Sequence, residues 1–239
     1  MSDLCIAVIG ANGFVGSQIA NAAKEHGHRV VSVTRENAKA KEISRADVVI
    51  HSANPAGRYN AENNPEWDFE ETVEKTRYLM ERHEGKRFVL ISSLSCRTQL
   101  YTQYGRHRRA CELLALHAHS LVVRLGPMYG GHRKKDMLHD ILRGDKVYVG
   151  RQTQYAYVDV AWAGNRIIEL IEAGAKDIKE VGARNAICLA DIASHFGSNS
   201  IFEGRDETQT PLPWLTRPDD PDASDVLVYA EQERKFMTL

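Results

Sequence analysis

The run Leu4-Cys-Ile-Ala-Val-Ile-Gly-Ala-Asn-Gly-Phe-Val-Gly16 constrains the fold more than any other stretch of the chain. Cys5 to Ile9 is a short apolar run that reads as a buried strand. It leads into a glycine turn and then into a helix whose apolar positions Val15, Ile19 and Ala22 recur at helical spacing. Strand, glycine turn and helix in that order predict a dinucleotide cradle. Of Gly10, Gly13 and Gly16, one permits the tight turn, one lets the backbone approach a pyrophosphate, and one lets the helix pack on the strand. The helix N-terminus then offers N–H groups and the positive end of its dipole to the phosphates. Asn12, Phe14 and Val15, set between the glycines, are expected cofactor contacts with them. The spacing is G-x-x-G-x-x-G rather than G-x-G-x-x-G, and a glycine turn without a ligand is the plainer alternative.

Apolar runs and helical stretches go on alternating. Arg29 to Thr34 reads as a second strand, Glu36 to Ala46 as a short polar helix, and Asp47 to His51 as a third strand running into Ser52-Ala-Asn-Pro55. Ala56 to Pro65 reads as a polar loop, and Glu66 to Glu84 as a helix with Phe69, Val73, Thr76 and Met80 on one face. A strand at Arg87 to Ile91, a helix at Tyr104 to His117 and a strand at Leu121 to Leu125 complete the series. Strands separated by helices predict an α/β fold, a doubly wound parallel sheet of Rossmann type covered on both faces. In such sheets a ligand lies outside the carboxyl ends of the strands, here Gly10, Arg35, His51 to Pro55, Ser92-Ser93 and Gly126-Pro127.

Past about residue 130 the character changes. Residues 131–154 are basic and turn-rich, Val158 to Ala173 reads as a helix region, and Asn185 to Leu189 as a short strand before a helix. Phe202 to Ser224 is rich in Pro, Asp and Thr. The expected organisation is a dinucleotide-binding domain over 1–130, to which 155–175 return, and a small, partly discontinuous substrate-binding lobe over 131–239. A net charge of −1 gives no overall pull toward nucleic acid or an anionic membrane. No apolar stretch is long enough to span a bilayer, and the start Met-Ser-Asp lacks the basic and apolar regions of a signal peptide. The scattered Cys5, Cys96, Cys111 and Cys188 read as buried thiols rather than a bridge framework or a metal site. A reduced, cytoplasmic protein with no metal is expected.

Further motifs stand in a recognisable order. They are Gly10-Ala-Asn-Gly-Phe-Val-Gly16, Asp47-Val-Val-Ile-His-Ser-Ala53, Val89-Leu-Ile-Ser-Ser93, Tyr104-Gly-Arg-His-Arg108 followed by Glu112, Val123-Arg-Leu-Gly-Pro-Met-Tyr-Gly130, and Tyr155-Ala-Tyr-Val-Asp-Val-Ala161. Together they resemble the extended short-chain dehydrogenase/reductase family, the nucleotide-sugar epimerase, dehydratase and reductase group, over most of residues 3–195. The resemblance implies a tyrosine acid/base, a lysine four residues on, and a Ser or Thr after the preceding strand. By position Tyr104 is the acid/base and Ser93 the group that polarises the substrate oxygen, with Ser95 as the second candidate and a substrate contact. A tyrosine with an ordinary pKa near 10 needs a cation beside it to exchange protons near neutrality. Spacing of i, i+4 puts Tyr104 and residue 108 on one helix face. Here the chain departs from the family, because residue 108 is Arg. Arg108 keeps the charge and can bond a ribose, but a guanidinium does not reproduce ammonium geometry.

The resemblance places the cofactor along the glycine turn, Thr34 and Arg35, Ser52, Ala53, Asn54 and Pro55, Tyr104, Arg108, and Leu125, Gly126 and Pro127. Thr34-Arg35 stands where NAD sites carry an acid for the ribose 2′-hydroxyl, and an Arg there accommodates a 2′-phosphate. NADP(H) is therefore the preferred cofactor, with NAD(H) as the alternative. Arg133, Lys134 and Arg151 are the expected contacts to a phosphate-bearing substrate, a nucleotide sugar. The expected reaction is NADPH-dependent reduction of a 4-keto-6-deoxy nucleotide sugar. Its alternatives are NAD-dependent epimerisation or dehydration, and a non-catalytic dinucleotide sensor or nucleic-acid-associated module. A homodimer is implied by the family's habit of pairing helices, and Trp67, Tyr78, Leu79, Leu113 and Leu114 lie partly off the faces that a sheet would bury.

Overall fold

In the computed structural model, which describes residues 3–35, 41–117, 120–133 and 135–237, the apolar runs form strands of one sheet. Contacts divide the chain into Met1–Leu125 with Ala161–Lys179, and Gly126–Val160 with Glu180–Leu239.

The first unit begins with β1 (Cys5–Ile9), α1 (Phe14–Glu25), β2 (Arg29–Val33) and β3 (Val48–His51). Then come α2 (Arg58–Asn63), α3 (Pro65–Phe69), a π-helical turn at Glu70–Glu74 and α4 (Lys75–Arg82). β4 (Arg87–Ser93), α5 (Ser95–Thr98), α6 (Gln103–His117) and β5 (Leu121–Leu125) complete its first segment. The sheet runs β2-β1-β3-β4-β5 and ends on a strand over Asp177–Val181. Ile9 pairs in parallel with both Val33 and His51, and Ser93 with Leu125, so the carboxyl ends of these strands share one edge.

Both faces of the strands are apolar because both are covered, as parallel sheets require. Cys5, Ala7 and Ile9 of β1, Val49 of β3, Leu90 of β4 and Val122 of β5 form one buried cluster with Val73, Cys111 and Ala115. Val73 lies in the π turn and the other two on α6, so this face is roofed by those helices. On α1, Ile19 and Ala22 are buried as their spacing predicts.

Several expectations are corrected. The stretch 56–65 is not simply a loop: Arg58–Asn63 is helical, and its Ala61 is fully buried. The helix expected over 66–84 is present as one continuous run, 65–82, but a π turn at Glu70–Glu74 separates α3 from α4 within it. A π turn takes up an extra residue and so rotates the helix before it out of phase with the helix after it. Phe69, assigned by 3.6-residue spacing to the buried face, is consequently 41% exposed, while Asp68, Thr72 and Thr76 are buried. Of the helix expected over Glu36 to Ala46, Lys41–Arg45 forms a 3-10 turn and residues 36–40 lie outside the described residues.

The second unit holds β6 (Met128–Tyr129), α7 (Met137–Arg143), β7 (Gln154–Tyr155) and β8 (Val158–Asp159). Next are α8 (Val160–Glu172) and β9 (Asp177–Val181), which belong largely to the first unit. β10 (Ile187–Cys188), α9 (Leu189–His195), β11 (Thr208–Gln209) and α10 (Asp225–Met237) close the chain. Within the turn-rich 131–154 stretch, α7 is an addition to the sequence reading. Asp136 caps its first turn by accepting from the His139 N–H at 3.0 Å, and Gly144 ends it at φ 75°.

Candidate active site

The glycine turn closes β1 against α1 so tightly that side chains have no room. Gly10 adopts φ +88°, and a Cβ on it would lie 2.9 Å from the Ala53 Cα. A Cβ on Gly16 would lie 2.1 Å from the Gly10 carbonyl oxygen and 2.5 Å from Ser52 Oγ. Ser52 itself is fixed to the end of β1: its N–H and hydroxyl both donate to Ile9 O, at 2.9 and 3.0 Å. The Gly10 N–H donates to Val33 O at 2.9 Å, which sets half-buried Thr34 and exposed Arg35 beside the turn. Gly13 caps α1 with no side-chain hydrogen bond, and no acid sits in the first turn, so nothing in the helix offsets its positive end. Asn12 is exposed, and Phe14 and Val15 are half-buried at the mouth of the turn. A cradle that a Cβ on Gly10 or Gly16 would fill, under a 12-residue helix with no side-chain cap, fits a dinucleotide pyrophosphate.

Next along the same edge, Ser52 to Pro55 leave β3 half-buried. Arg108, 4% exposed on α6, donates from Nη2 to Pro55 O and lays its guanidinium over the Tyr104 ring, 4.8 Å from the centroid. The charge that replaces the family's lysine therefore ties the tyrosine helix to this segment. Arg108 Nε and both amide atoms of Asn54 are buried without a hydrogen-bond partner among the described residues, which fits a polar ligand passing here.

Ser93 ends β4 half-buried, and its Oγ accepts from the Ser95 N–H at 3.2 Å. That bond uses one of the oxygen's two lone pairs and leaves its O–H to be donated. Ser95 is 2% exposed and Tyr104 9%. Gly105, which motif reading passed over, lets the first turn of α6 approach: a Cβ there would meet Gln99 O at 2.2 Å.

Behind these residues lies fully buried Glu112. Its Oε1 accepts from Ser92 Oγ at 2.8 Å, Cys96 Sγ at 2.8 Å and Arg124 Nε at 2.9 Å, and its Oε2 from Arg124 Nη2 at 2.7 Å. Arg109 Nη1 adds a bond to Oε2 at 3.1 Å. Burial would raise the carboxyl's pKa, but the bonds from Arg124, Cys96 and Ser92 outweigh it and hold Glu112 below the ordinary glutamate range. Burial, then the Glu112 charge, pushes the Cys96 thiol well above its usual value.

His51 closes β3 completely buried. Burial first, then the charges of Arg108 and Lys75, pushes its pKa down to about 3. The unfolded imidazole titrates near 6.5, so below that pH the unfolded state binds a proton that the folded state refuses. Stability is complete above pH 6.5 and declines as pH falls toward 3, by about 2 kcal/mol between pH 7 and pH 5 from this group. Urea unfolding at the two pH values measures this, and His51→Leu should flatten the dependence by that amount.

Leu125 is buried at the end of β5, and Gly126 and Pro127 open the second unit. In that unit Arg133 is half-buried before α7, and exposed Arg151 sets its guanidinium 5.7 Å from the Phe202 ring centre. Lys134 lies outside the described residues. All four cysteines are free and buried. No helix among the described residues is long and apolar enough to cross a membrane, and no His, Cys, Asp and Glu group among them is arranged to hold a metal ion.

The model for the NAD dependent epimerase/dehydratase family matches residues 6–138, which span the glycine turn, Ser93, Tyr104 and Arg108. The chain belongs to that family. Its members are enzymes of the short-chain dehydrogenase type, and the fold agrees with theirs in solved structures. The UDP-glucose 4-epimerase of Thermus thermophilus, in complex with NAD, aligns with a TM-score of 0.79 at 16% identity, covering 97% of this chain and 99% of that one. MoeE5 in complex with UDP-glucuronic acid and NAD aligns at 0.76 and 17%, covering 100% of both chains. The Thermotoga maritima UDP-glucose 4-epimerase with UDP-glucose aligns at 0.78 and 14%, covering 98% of this chain and 100% of that one. No curated protein matches the sequence.

Proposed function

We propose that this family member transfers hydride between NADP(H) and a nucleotide-linked sugar, and that its reaction is reduction of a 4-keto-6-deoxy sugar. The observation that carries the cofactor half is Arg35, exposed two residues past the end of β2 and held beside the glycine turn by the Gly10–Val33 bond. A carboxylate at this place would repel a 2′-phosphate, whereas a guanidinium pairs with it. NADPH, the usual reductant pool, then favours the reductive direction. Calorimetric titration tests it. The parent protein should bind NADPH more tightly than NADH, and Arg35→Asp should reverse that order. Equal affinities in the parent would remove the preference.

When bound, the nicotinamide supplies the hydride; the remaining work falls to the chain. Gly10, Gly13 and Gly16 hold the pyrophosphate against the α1 terminus, and Ser52 to Pro55 line the ribose path. The Ser93 hydroxyl donates to the carbonyl oxygen of the sugar, and the Tyr104 phenol delivers the proton that turns it into an alcohol. Arg108 fixes the ring of Tyr104 and keeps a positive charge beside it. Arg133, Lys134 and Arg151 are proposed on their charge as contacts to its phosphates, Lys134 lying outside the described residues.

A second reading is epimerisation or dehydration with a retained NAD. It is favoured by the NAD held in the Thermus epimerase and in MoeE5. A purified protein carrying tightly held NAD and turning over no added NADPH would establish it over reduction.

A homodimer is the proposed assembly. Trp67 and Tyr78 on the α3 and α4 helices and Leu113 on α6 are exposed, at 43%, 52% and 57%. Light scattering at micromolar concentration should give twice the mass of the chain, and a single-chain mass would defeat the proposal.

A further inference from the structure

Glu112 carries more hydrogen bonds than its charge requires. Arg124 alone neutralises it, donating to both carboxylate oxygens. The bonds from Ser92 and Cys96 are additional, and they come from the residue just before Ser93 and the residue just after Ser95. Glu112 lies two turns along α6 from Tyr104. One buried carboxylate thus joins the tyrosine's helix to the end of β4 and to α5.

We infer that Glu112 is a positioning residue, which through Ser92 and Cys96 sets the spacing between the Ser93 hydroxyl and the Tyr104 phenol. The inference rests on the proposed pairing of Ser93 with Tyr104. Ser92 and Cys96 are not themselves substrate contacts; both are buried and both end on Oε1. Gly105 removes the steric barrier between α6 and α5, and the Cys96–Glu112 bond then holds the two in register.

Glu112→Gln is a poor test, because it leaves Arg124 buried without its counter-charge and endangers folding. The arms are better targets, since each can be cut with the Glu112–Arg124 pair intact. With 3-fluorotyrosine placed at position 104 of the full chain, the fluorine resonance reports the environment of the ring without any substrate or cofactor. Ser92→Ala and Cys96→Ala should each shift or split that resonance. Cys96→Ser, which keeps a donor, should restore the parent line. Cys111→Ala is the packing control: it removes a buried thiol from α6, the helix of Tyr104 and Glu112, and that thiol bonds Thr72 O at 3.3 Å rather than Glu112. It should leave the line unchanged. On a substrate that turns over, the two arm variants should lower kcat by about tenfold with KM little changed.

Parent-like resonances in both arm variants would overturn the inference. So would a Cys111→Ala effect as large as that of Cys96→Ala, or failure of Cys96→Ser to restore the line. The underlying reading fails separately, if Tyr104→Phe keeps full turnover.

Discussion

Gly16→Ala is expected to bind NADPH about a hundredfold more weakly than the parent and to lose about 3 kcal/mol of stability. The added Cβ would sit 2.1 Å from Gly10 O, 2.8 Å from the Gly10 carbonyl carbon and 2.5 Å from Ser52 Oγ. None of these can step aside cheaply. Gly10 O already accepts from the Gly13 N–H at 2.9 Å, and Ser52 is bonded twice to Ile9 O. The methyl group fits only if α1 withdraws from the end of β1, and that withdrawal opens the cradle proposed for the pyrophosphate. Overpacking accounts for the loss of stability, and the misplaced helix terminus for the loss of affinity. Calorimetric titration and urea unfolding read the two effects. Gly57→Ala serves as the control, since its Cβ would meet nothing closer than Asn60 Cβ at 3.7 Å.

Tyr104→Phe should lower turnover by about 10²- to 10⁴-fold while leaving cofactor affinity near that of the parent. Phenylalanine keeps the ring under the Arg108 guanidinium and the packing of a residue that is 9% exposed, so the helix stays in place. What disappears is the phenol proposed to hand its proton to the substrate oxygen, while the Ser93 hydroxyl stays in place to polarise that oxygen. Single-turnover kinetics beside NADPH titration separates the two quantities. A single-turnover rate at saturating NADPH equal to that of the parent would mean that the tyrosine has no part in proton transfer.

The parts legible in the sequence are those in which local chemistry and final structure agree. Gly10 and Gly16 announce a turn because a side chain at either would strike backbone, and Gly13 completes the spacing. Valine- and isoleucine-rich runs such as Val48–His51 announce buried strands because a parallel sheet covers both their faces. The carboxyl-edge location of Arg35, Ser52 and Ser93 follows from where each strand of a parallel sheet ends. The features hidden from the sequence depend on contacts between distant residues. The π turn at Glu70–Glu74 has no residue signature, and it moves Phe69 out of the face that regular spacing assigns to it. Glu112 is visible in the sequence only as part of a motif. Its role emerges when β4, α5 and β5 bring Ser92, Cys96 and Arg124 to one carboxylate. The Arg108 bond to Pro55 joins residues 53 positions apart, and periodicity does not reach that far. α7 is readable in principle, since Asp136 and Gly144 are ordinary cap residues, but the basic residues around them mask the helical pattern.

Hydride transfer to a sugar carbon can be followed with a label. The protein is incubated with NADPH deuterated at the transferable position of the nicotinamide and with a 4-keto-6-deoxy nucleotide sugar. The product is then analysed by mass spectrometry and NMR. One deuterium is expected at C4 of the reduced sugar in the parent protein, and none in Tyr104→Phe on the same timescale. An unlabelled sugar and unconsumed NADPH, from a parent protein shown by titration to bind both ligands, would mean that no hydride passes between them and that the proposed reduction is wrong.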